Sequence, residues 1–506
     1  MPNQYSPNQP GSGVKNNNVE NKDGNSEAQY ATQCQIEKCR VTYHDGETND
    51  LASDMILGFF GRESLLSPFL SGSLVISDSA DWLNGASPVE GGEKVELEIK
   101  TPVKEEAERY EYRIWKIGNR VSLNKKQAYT LALISEEAMV NESTRVIGRF
   151  PRGGQNQDTT PEISITDIVI KLIREELKSQ KKIHAQDTLF KQVVLGANQR
   201  PFDIICKLAN KAIPDITKTG QTNNPNSSST TKNVIKGTAG FFFWETKRGY
   251  NFFSVDALCD EKGGVYSAPK IQTESHGIYQ EKIANVEGVD ARSIISKIEF
   301  TSEIDVMSAL RLGKYSSNMI FFNHTTGKYD EYQYKISESY QNMAHLGNQT
   351  KVSTLKAGEK ALEEEPTRLM TIILDHEKWF NDPGIADSED PSNPENPAAY
   401  ADWHKHFAAQ TIARKELLRN QECTIEIPGD NTICAGDKVT IEVQKKAADI
   451  VKKENPIDLE SSGIYLVKDV EHAYFFGEGT SGIVRTTLQL FRDSFGVKDT
   501  DTKHGE

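Results

Sequence analysis

Residues 422–443 read ECTIEIPGDNTICAGDKVTIEV, and after a polar stretch residues 462–496 read SGIYLVKDVEHAYFFGEGTSGIVRTTLQLFRDSFG. Cys423, Ile425 and Ile427 alternate with polar residues. Val439, Ile441 and Val443 do so again after the turn words PGDN (428–431) and AGD (435–437). Tyr465, Val467 and Val470 predict a further strand, as do Thr486, Leu488 and Leu490. Successive side chains of a strand point to opposite faces. Apolar residues at every second position, punctuated by Gly, Asp and Asn, therefore predict an antiparallel, half-buried sheet or barrel.

Working outward from this stretch, residues 398–420 change period. Trp403, Phe407, Gln410, Thr411, Arg414, Leu417 and Leu418 lie near one stripe of a helix. Residues 381–397 are rich in Pro, Asp and Asn and predict a loop, residues 370–374 a short strand, and residues 348–365 a charged connector. Residues 280–340 mix strand and helix. Asp305 opens a short helix that Gly313 closes, and MIFFNHTTGKYDEYQYKI (319–336) reads as strand, turn at Gly327 and strand.

GFFFWETKRGYNFFSVDAL (240–258) is a hairpin turning at Lys247-Arg248-Gly249. Aromatic side chains beside Lys and Arg are the material of a base-stacking platform. The aromatics run consecutively, however, as in a strand buried on both faces, and we read them as core. Before it lie a helix from Ile163 with Ser164 or Thr166 as N-cap and a second from Pro201, with Pro in its first turn. The polar loop 218–232 is expected to be mobile, as is the Asn/Gly/Pro/Ser-rich tail 1–29. Residues 30–149 are strand-rich, with a turn at Asp45-Gly46 and alternation at Val95/Leu97/Ile99 and Tyr129/Leu131/Leu133.

The 506 residues suffice for three or four domains, and the net charge of −14 argues against a surface that wraps nucleic acid. An acidic wall is compatible with DNA passing by. The 6 cysteines form no CxxC pair and no disulfide-dense framework, which points to assembly in a reducing cytoplasm. No apolar run is long enough for a membrane span, and the N-terminus lacks the apolar core of a signal peptide.

Chemical motifs are few. His404 and His406 flank Lys405, with Asp402 and His376 nearby, but on a helix positions i and i+2 point apart, so zinc ligation is not expected. No phosphate-binding or dinucleotide fingerprint and no nucleophile elbow occurs. Catalytic residues, cofactor-binding residues and metal ligands are each expected to be none.

The words AGDKVTIEV, GIYLVKDVEHAY and TTLQLFRDSFG resemble the second tube domain of the baseplate hub subunit of contractile-tail phages, a domain shared with type VI secretion spike proteins. The residues that carry it are Tyr465, Leu466, Val467, Asp469, Val470, His472, Leu490, Arg492, Asp493, Ser494 and Gly496. PFLSGSLVISDSADWL (68–83), GGEKVELEI (91–99), YRIWKI (112–117) and AYTLALISEEA (128–138) resemble the family's first tube domain. PFDIICKLANKAI (201–213) with the aromatic hairpin resembles its first peripheral domain, and the helix, strand and hairpin from Asp305 to Ile336 its second.

The resemblance implies an α+β, predominantly β fold: two tube-type antiparallel β-barrel domains plus two smaller peripheral α/β domains. The expected division is a tail 1–29, a first tube-type domain 30–150 and a peripheral domain 151–270. A second peripheral domain 271–365, a second tube-type domain 366–496 and a tail 497–506 follow. It implies a structural virion protein at the centre of the tail baseplate, a homotrimer forming a hollow ring between a trimeric spike and the hexameric tail tube. Baseplate wedge proteins are further partners, and DNA passes through the channel during genome ejection. The spike is expected to be a separate polypeptide, since no spike-like segment follows residue 496. The alternatives are a tail-tip cell-wall hydrolase, the hub of a related contractile injection or secretion system, and a β-rich adhesion protein without a tube.

Overall fold

The computed structural model describes residues 32–497, except 86–87, 103–105, 152–162, 190, 216–237, 261–274, 282–292, 323, 325–326, 328, 341–342, 349–355, 359, 374–396, 447–455 and 478–480. The tail 1–29, the loop 218–232 and most of the C-terminal tail lie outside the described residues.

The protein is predominantly β, and a 14-stranded sheet forms its frame. The strands along its path are β1 (Gln33–Thr42), β2 (Ile56–Ser64), β3 (Ser71–Asp78), β4 (Lys94–Lys100), β5 (Glu108–Leu123) and β6 (Lys126–Ile134), then β7 (Ser275–Glu281), β8 (Ile294–Ile295), β9 (Lys297–Glu303), β10 (Gln421–Pro428), β11 (Lys438–Glu442), β12 (Gly463–Phe476) and β13 (Ser481–Arg492). Strand Thr48–Asp50 adds to β1. The pairing returns on itself. β1, β4, β5, β6, β3, β2, β12 and β13 pair in that order, all antiparallel, and β13 pairs back to β1. A second circuit runs β7–β11–β12–β13–β10–β9. It closes where β8, separated from β9 only by Ser296, pairs with β7.

The hairpin β12–β13 belongs to both circuits. Near its tip, Asp469–Phe475 pair with β2, and Ser481–Ile483 with β1. Near its base, Gly463–Leu466 pair with β11, and Arg485–Arg492 with β10. A register shift between Val467 and Asp469 falls where β12 passes from one circuit to the other. An extra residue in one strand bends it and re-aims its face. The hairpin also feeds two cores: Tyr474, Phe476 and Val484 join Val41, Phe59, Leu74, Leu97 and Leu131, whereas Tyr465, Val467, Leu488 and Leu490 join Ile425, Ile427, Val439 and Ile441. Val439 and Ile441 are buried, as the alternation predicts.

Leu488–Leu490 is not a sheet edge. These residues pair with β10 on one side and β12 on the other, and both leucines are buried. Alternation reports which face is covered and says nothing of how many neighbours a strand has. Among the described residues the first circuit closes fully within the chain, whereas the second closes only through the two-residue pairing of β7 with β8.

Two smaller bodies pack outside the sheet. In the first, helices Ile165–Lys171 and Pro201–Ala209 pack on the aromatic hairpin Phe241–Thr246/Gly249–Ser254. Ser164 caps the first helix by accepting from Asp167 N, and Pro201 opens the second. Every residue of the hairpin strands is buried, as expected of a strand covered on both faces. In the second body, Ser316–Phe322 lies between antiparallel Tyr329–Lys335 and parallel Arg368–Ile373. The helix Pro397–Leu417 covers one face through Ala409 and Ala413. Asp305 caps helix Val306–Leu312, and Gly313 ends it in the left-handed conformation.

Candidate functional site

The turn Lys247-Arg248 is where the outer hairpin meets both circuits. Gly249 has φ +125 and faces the Lys182 carbonyl so closely that a Cβ has no room, which keeps the turn tight. Lys247 N donates to Glu63 Oε1 at 3.0 Å, and its Nζ pairs with Glu108 Oε1 at 3.0 Å, both on strands of the first circuit. The same Nζ donates to the carbonyl of Asn431, in the turn between β10 and β11. Arg248 makes a two-pronged contact with Asp437 at 2.9 and 3.1 Å and donates to Thr432 O at 2.8 Å. His276 Nε2 lies 2.8 Å from the same Asp437 carboxylate.

The AGD turn is shaped to receive this hairpin. Ala435 N donates to Glu63 Oε2 at 3.1 Å, and Trp244 Nε1 donates to Ala435 O at 2.8 Å. Gly436, at φ +88, sits under the Trp244 ring, where a Cβ would lie 2.6 Å from Cζ2. Burial opposes the charge on Lys247, but Cys434, Glu108 and Glu63 around it raise it to about 12. Burial raises the Glu63 carboxyl against the pull of Lys247. His472, buried beneath, has its ring nitrogens 3.1 Å from Thr486 Oγ1 and 3.1 Å from Ile433 O; burial and Lys247 push it down to about 3.

A second buried cluster ties the closing residues to the outer bodies. Arg414 donates to Asp256 at 2.9 Å and to Asp493 at 2.8 Å, all three fully enclosed. Asp493 also accepts from Leu346 N at 3.0 Å, and His345 Nδ1 lies 2.8 Å away. Burial opposes the Asp493 charge, yet His345 and Arg414 hold it well below the usual carboxylate range. A third cluster places Lys181 between Glu137 and Glu245 at 2.5 Å each, with Leu70 N donating to Glu245.

These clusters join elements remote in sequence and fix bodies relative to one another. A buried ion pair adds little net stability but is costly to break on one side. That suits a joint that must hold one geometry.

On its outer wall the first circuit carries an apolar patch. Phe475 and Ile483 are register partners, exposed by 44% and 59%. Phe60 packs edge-on against Phe475 with centroids 5.4 Å apart, and Leu57 stands nearby at a register shift of β2.

The aromatics of 241–253 are enclosed and present no base-stacking surface. His376 and the side chains of Asp402, His404 and His406 lie outside the described residues, although the helix predicted there is present. Among the described residues no group of three His, Cys, Asp or Glu is placed to hold a metal. Sequence reading named Lys247-Arg248 as a turn and missed that its tip enters the sheet junction; two adjacent cations within an aromatic hairpin were the available signal. It likewise placed Arg414 on an apolar stripe without a partner.

No family model matches the chain, and no curated protein matches it. Among solved structures, a tail protein from Neisseria meningitidis MC58 is 12% identical with a TM-score of 0.44, over 90% of this chain and 96% of that one. A 43 kDa tail protein of prophage MuSo2 from Shewanella oneidensis is 8% identical with a TM-score of 0.45, over 90% and 98%. A type VI secretion system component from E. coli is 10% identical with a TM-score of 0.40, over 91% and 76%.

Proposed function

We propose that the chain is the central hub of a contractile-tail baseplate. In this reading three copies close into a hollow ring that joins a separate trimeric spike to the hexameric tail tube. The observation that carries it is the pair of strand circuits fused through the β12–β13 hairpin. Each circuit serves as one tube-type β-barrel domain. Two such units locked in one chain give a three-fold assembly six similar stations, which is what matching a three-fold to a six-fold partner requires. The first tube-type domain begins at the N-terminal end of the sheet and ends before strand Val146–Phe150. The second is 421–496 with Ser275–Glu281 and 294–303 added, since β7 and β9 pair into its circuit. Strand Val146–Phe150 with 151–270 forms the first peripheral domain, and the remainder of 271–365 with Arg368–Ile373 and helix Pro397–Leu417 forms the second.

The apolar patch around Phe475 and Ile483 supports a neighbour-facing wall, because exposed patches of this kind mark association surfaces. The net charge of −14 suits a channel that lets DNA pass without retaining it, since like charges repel and no counterion release rewards contact. Assembly in the host cytoplasm, wedge-protein partners, and a role without catalysis, cofactor or metal complete the reading. It applies equally to a phage tail and to a phage-derived injection machine. Light scattering on the purified chain should give a trimeric mass, and negative-stain images should show rings with a central hole. A monomeric mass at high concentration, also with a spike partner added, overturns it.

A further inference from the structure

The first peripheral body carries a ribbon, Val146–Phe150 paired with Val194–Gln199, and among the described residues neither strand has another neighbour. Its inner face, with Val146 and Phe150, is buried in the helical core. On its outer face Leu195 stands opposite Arg149, and Ala197 opposite Ile147. Leu195 and Ile147 are exposed by 74% and 70%, the largest values among the exposed large hydrophobic residues. Solvent-facing strands ordinarily carry polar side chains at such positions.

Beside this ribbon, between Val194–Gln199 and helix Pro201–Ala209, runs a groove of about 240 Å³. Its walls are apolar, with Val193, Val194, Ile204 and Leu208, and its rim carries Lys207 and Lys211. Gln192 also lines it, and among the described residues its buried side-chain nitrogen has no hydrogen-bond partner. A buried donor left unmatched costs about 1–3 kcal/mol, so it favours an arriving acceptor. Burial and the neighbouring Lys207 push the Lys211 ammonium down, so the two lysines stand close on the rim. The chain as a whole is acidic, which makes this cationic rim a local reversal of sign.

We propose that this groove and the ribbon beside it dock an extended acidic, aliphatic segment of a partner protein. The segment lies along Val194–Gln199 as an added strand. Its aliphatic side chains enter the groove and cover Leu195, and its carboxylates meet Lys207, Lys211 and the Gln192 amide. Adding a strand to an open edge provides backbone hydrogen bonds, and the alternate side chains then provide the selectivity. The inference does not rest on the hub reading, and it holds whether or not the chain forms a ring.

The test uses the full chain and a short fluorescein-labelled peptide of alternating valine and glutamate, with an alternating valine and lysine peptide as control. Fluorescence anisotropy should show saturable binding of the acidic peptide alone, weakening as salt rises. Lys207→Glu with Lys211→Glu should weaken it at least about tenfold, and Leu195→Arg should do so separately, with thermal melts unchanged. Leu195 and Lys207 are exposed, and the melts report whether each variant folds. Equal binding of the two peptides, or indifference to these substitutions, overturns the proposal. So does preferential binding of a short DNA strand at the same lysines, or self-association of the chain alone that Leu195→Arg abolishes.

Discussion

Replacing Lys247 by methionine removes the charge at the sheet junction while nearly keeping its volume, so the change isolates electrostatics from packing. The side chain of Lys247 is 8% exposed and that of Glu108 12%. The ammonium faces Glu108 at 3.0 Å and the Asn431 carbonyl, with buried Glu63 alongside. Deleting one side of a buried pair leaves its partner charged in a poorly solvating place, at a cost of about 3–5 kcal/mol. That is a large part of the roughly 5–15 kcal/mol by which a domain is stable. Urea unfolding followed by tryptophan fluorescence reads it directly, since Trp244 lies over the adjoining AGD turn. The double variant Lys247→Met, Glu108→Gln removes the stranded charge and should recover about 1–2 kcal/mol of the loss. A single-variant loss below about 1 kcal/mol, or two losses that simply add, would refute the reasoning.

Gly436→Ala should cost roughly 2–4 kcal/mol and shift Trp244 emission, because the backbone is left-handed and the ring stands 2.6 Å from the new Cβ. Leu488→Pro should yield unfolded or insoluble protein, judged by circular dichroism and gel filtration, because the strand is paired on both sides. Folded monomers would contradict that. For His472 the unfolded ring takes its proton near 6.5 and the folded ring only near 3. Between those values the unfolded state binds more protons, so stability falls as pH drops, by roughly 1.4 kcal/mol per unit. Unfolding midpoints of His472→Gln measured from pH 6 to 4 should therefore fall less steeply than those of the natural chain, and an identical slope would sink the assignment.

Much of the fold was legible because period and punctuation are local. The alternation at 423–443 and 465–490, the Asp305 and Gly313 caps and the Pro201 helix start are all present in the structure. Helix Glu136–Ser143 was overlooked inside a strand-rich region, although Ser135 followed by two glutamates is a helix-start signal. The sharing of β12 and β13 between circuits was illegible, since it depends on register between residues more than 400 positions apart, such as Tyr474 and Phe59. The joints were hidden for the same reason. Arg414 needs Asp256 and Asp493, and its place on an apolar stripe does not say which distant carboxylates it meets.

The shared hairpin makes completion of the chain a condition for closing either circuit. Strands β1 to β6 leave the ribosome first, but Gln33–Gln35 of β1 and the far side of β2 have no partners until residues 463–492 arrive. A chain interrupted before that point keeps two open strand edges and an uncovered Phe59. Such edges are marks for chaperones and proteases, and they are the wrong shape for assembly. The topology thus acts as an inspection step on synthesis: only a chain read through β13 can close the first circuit.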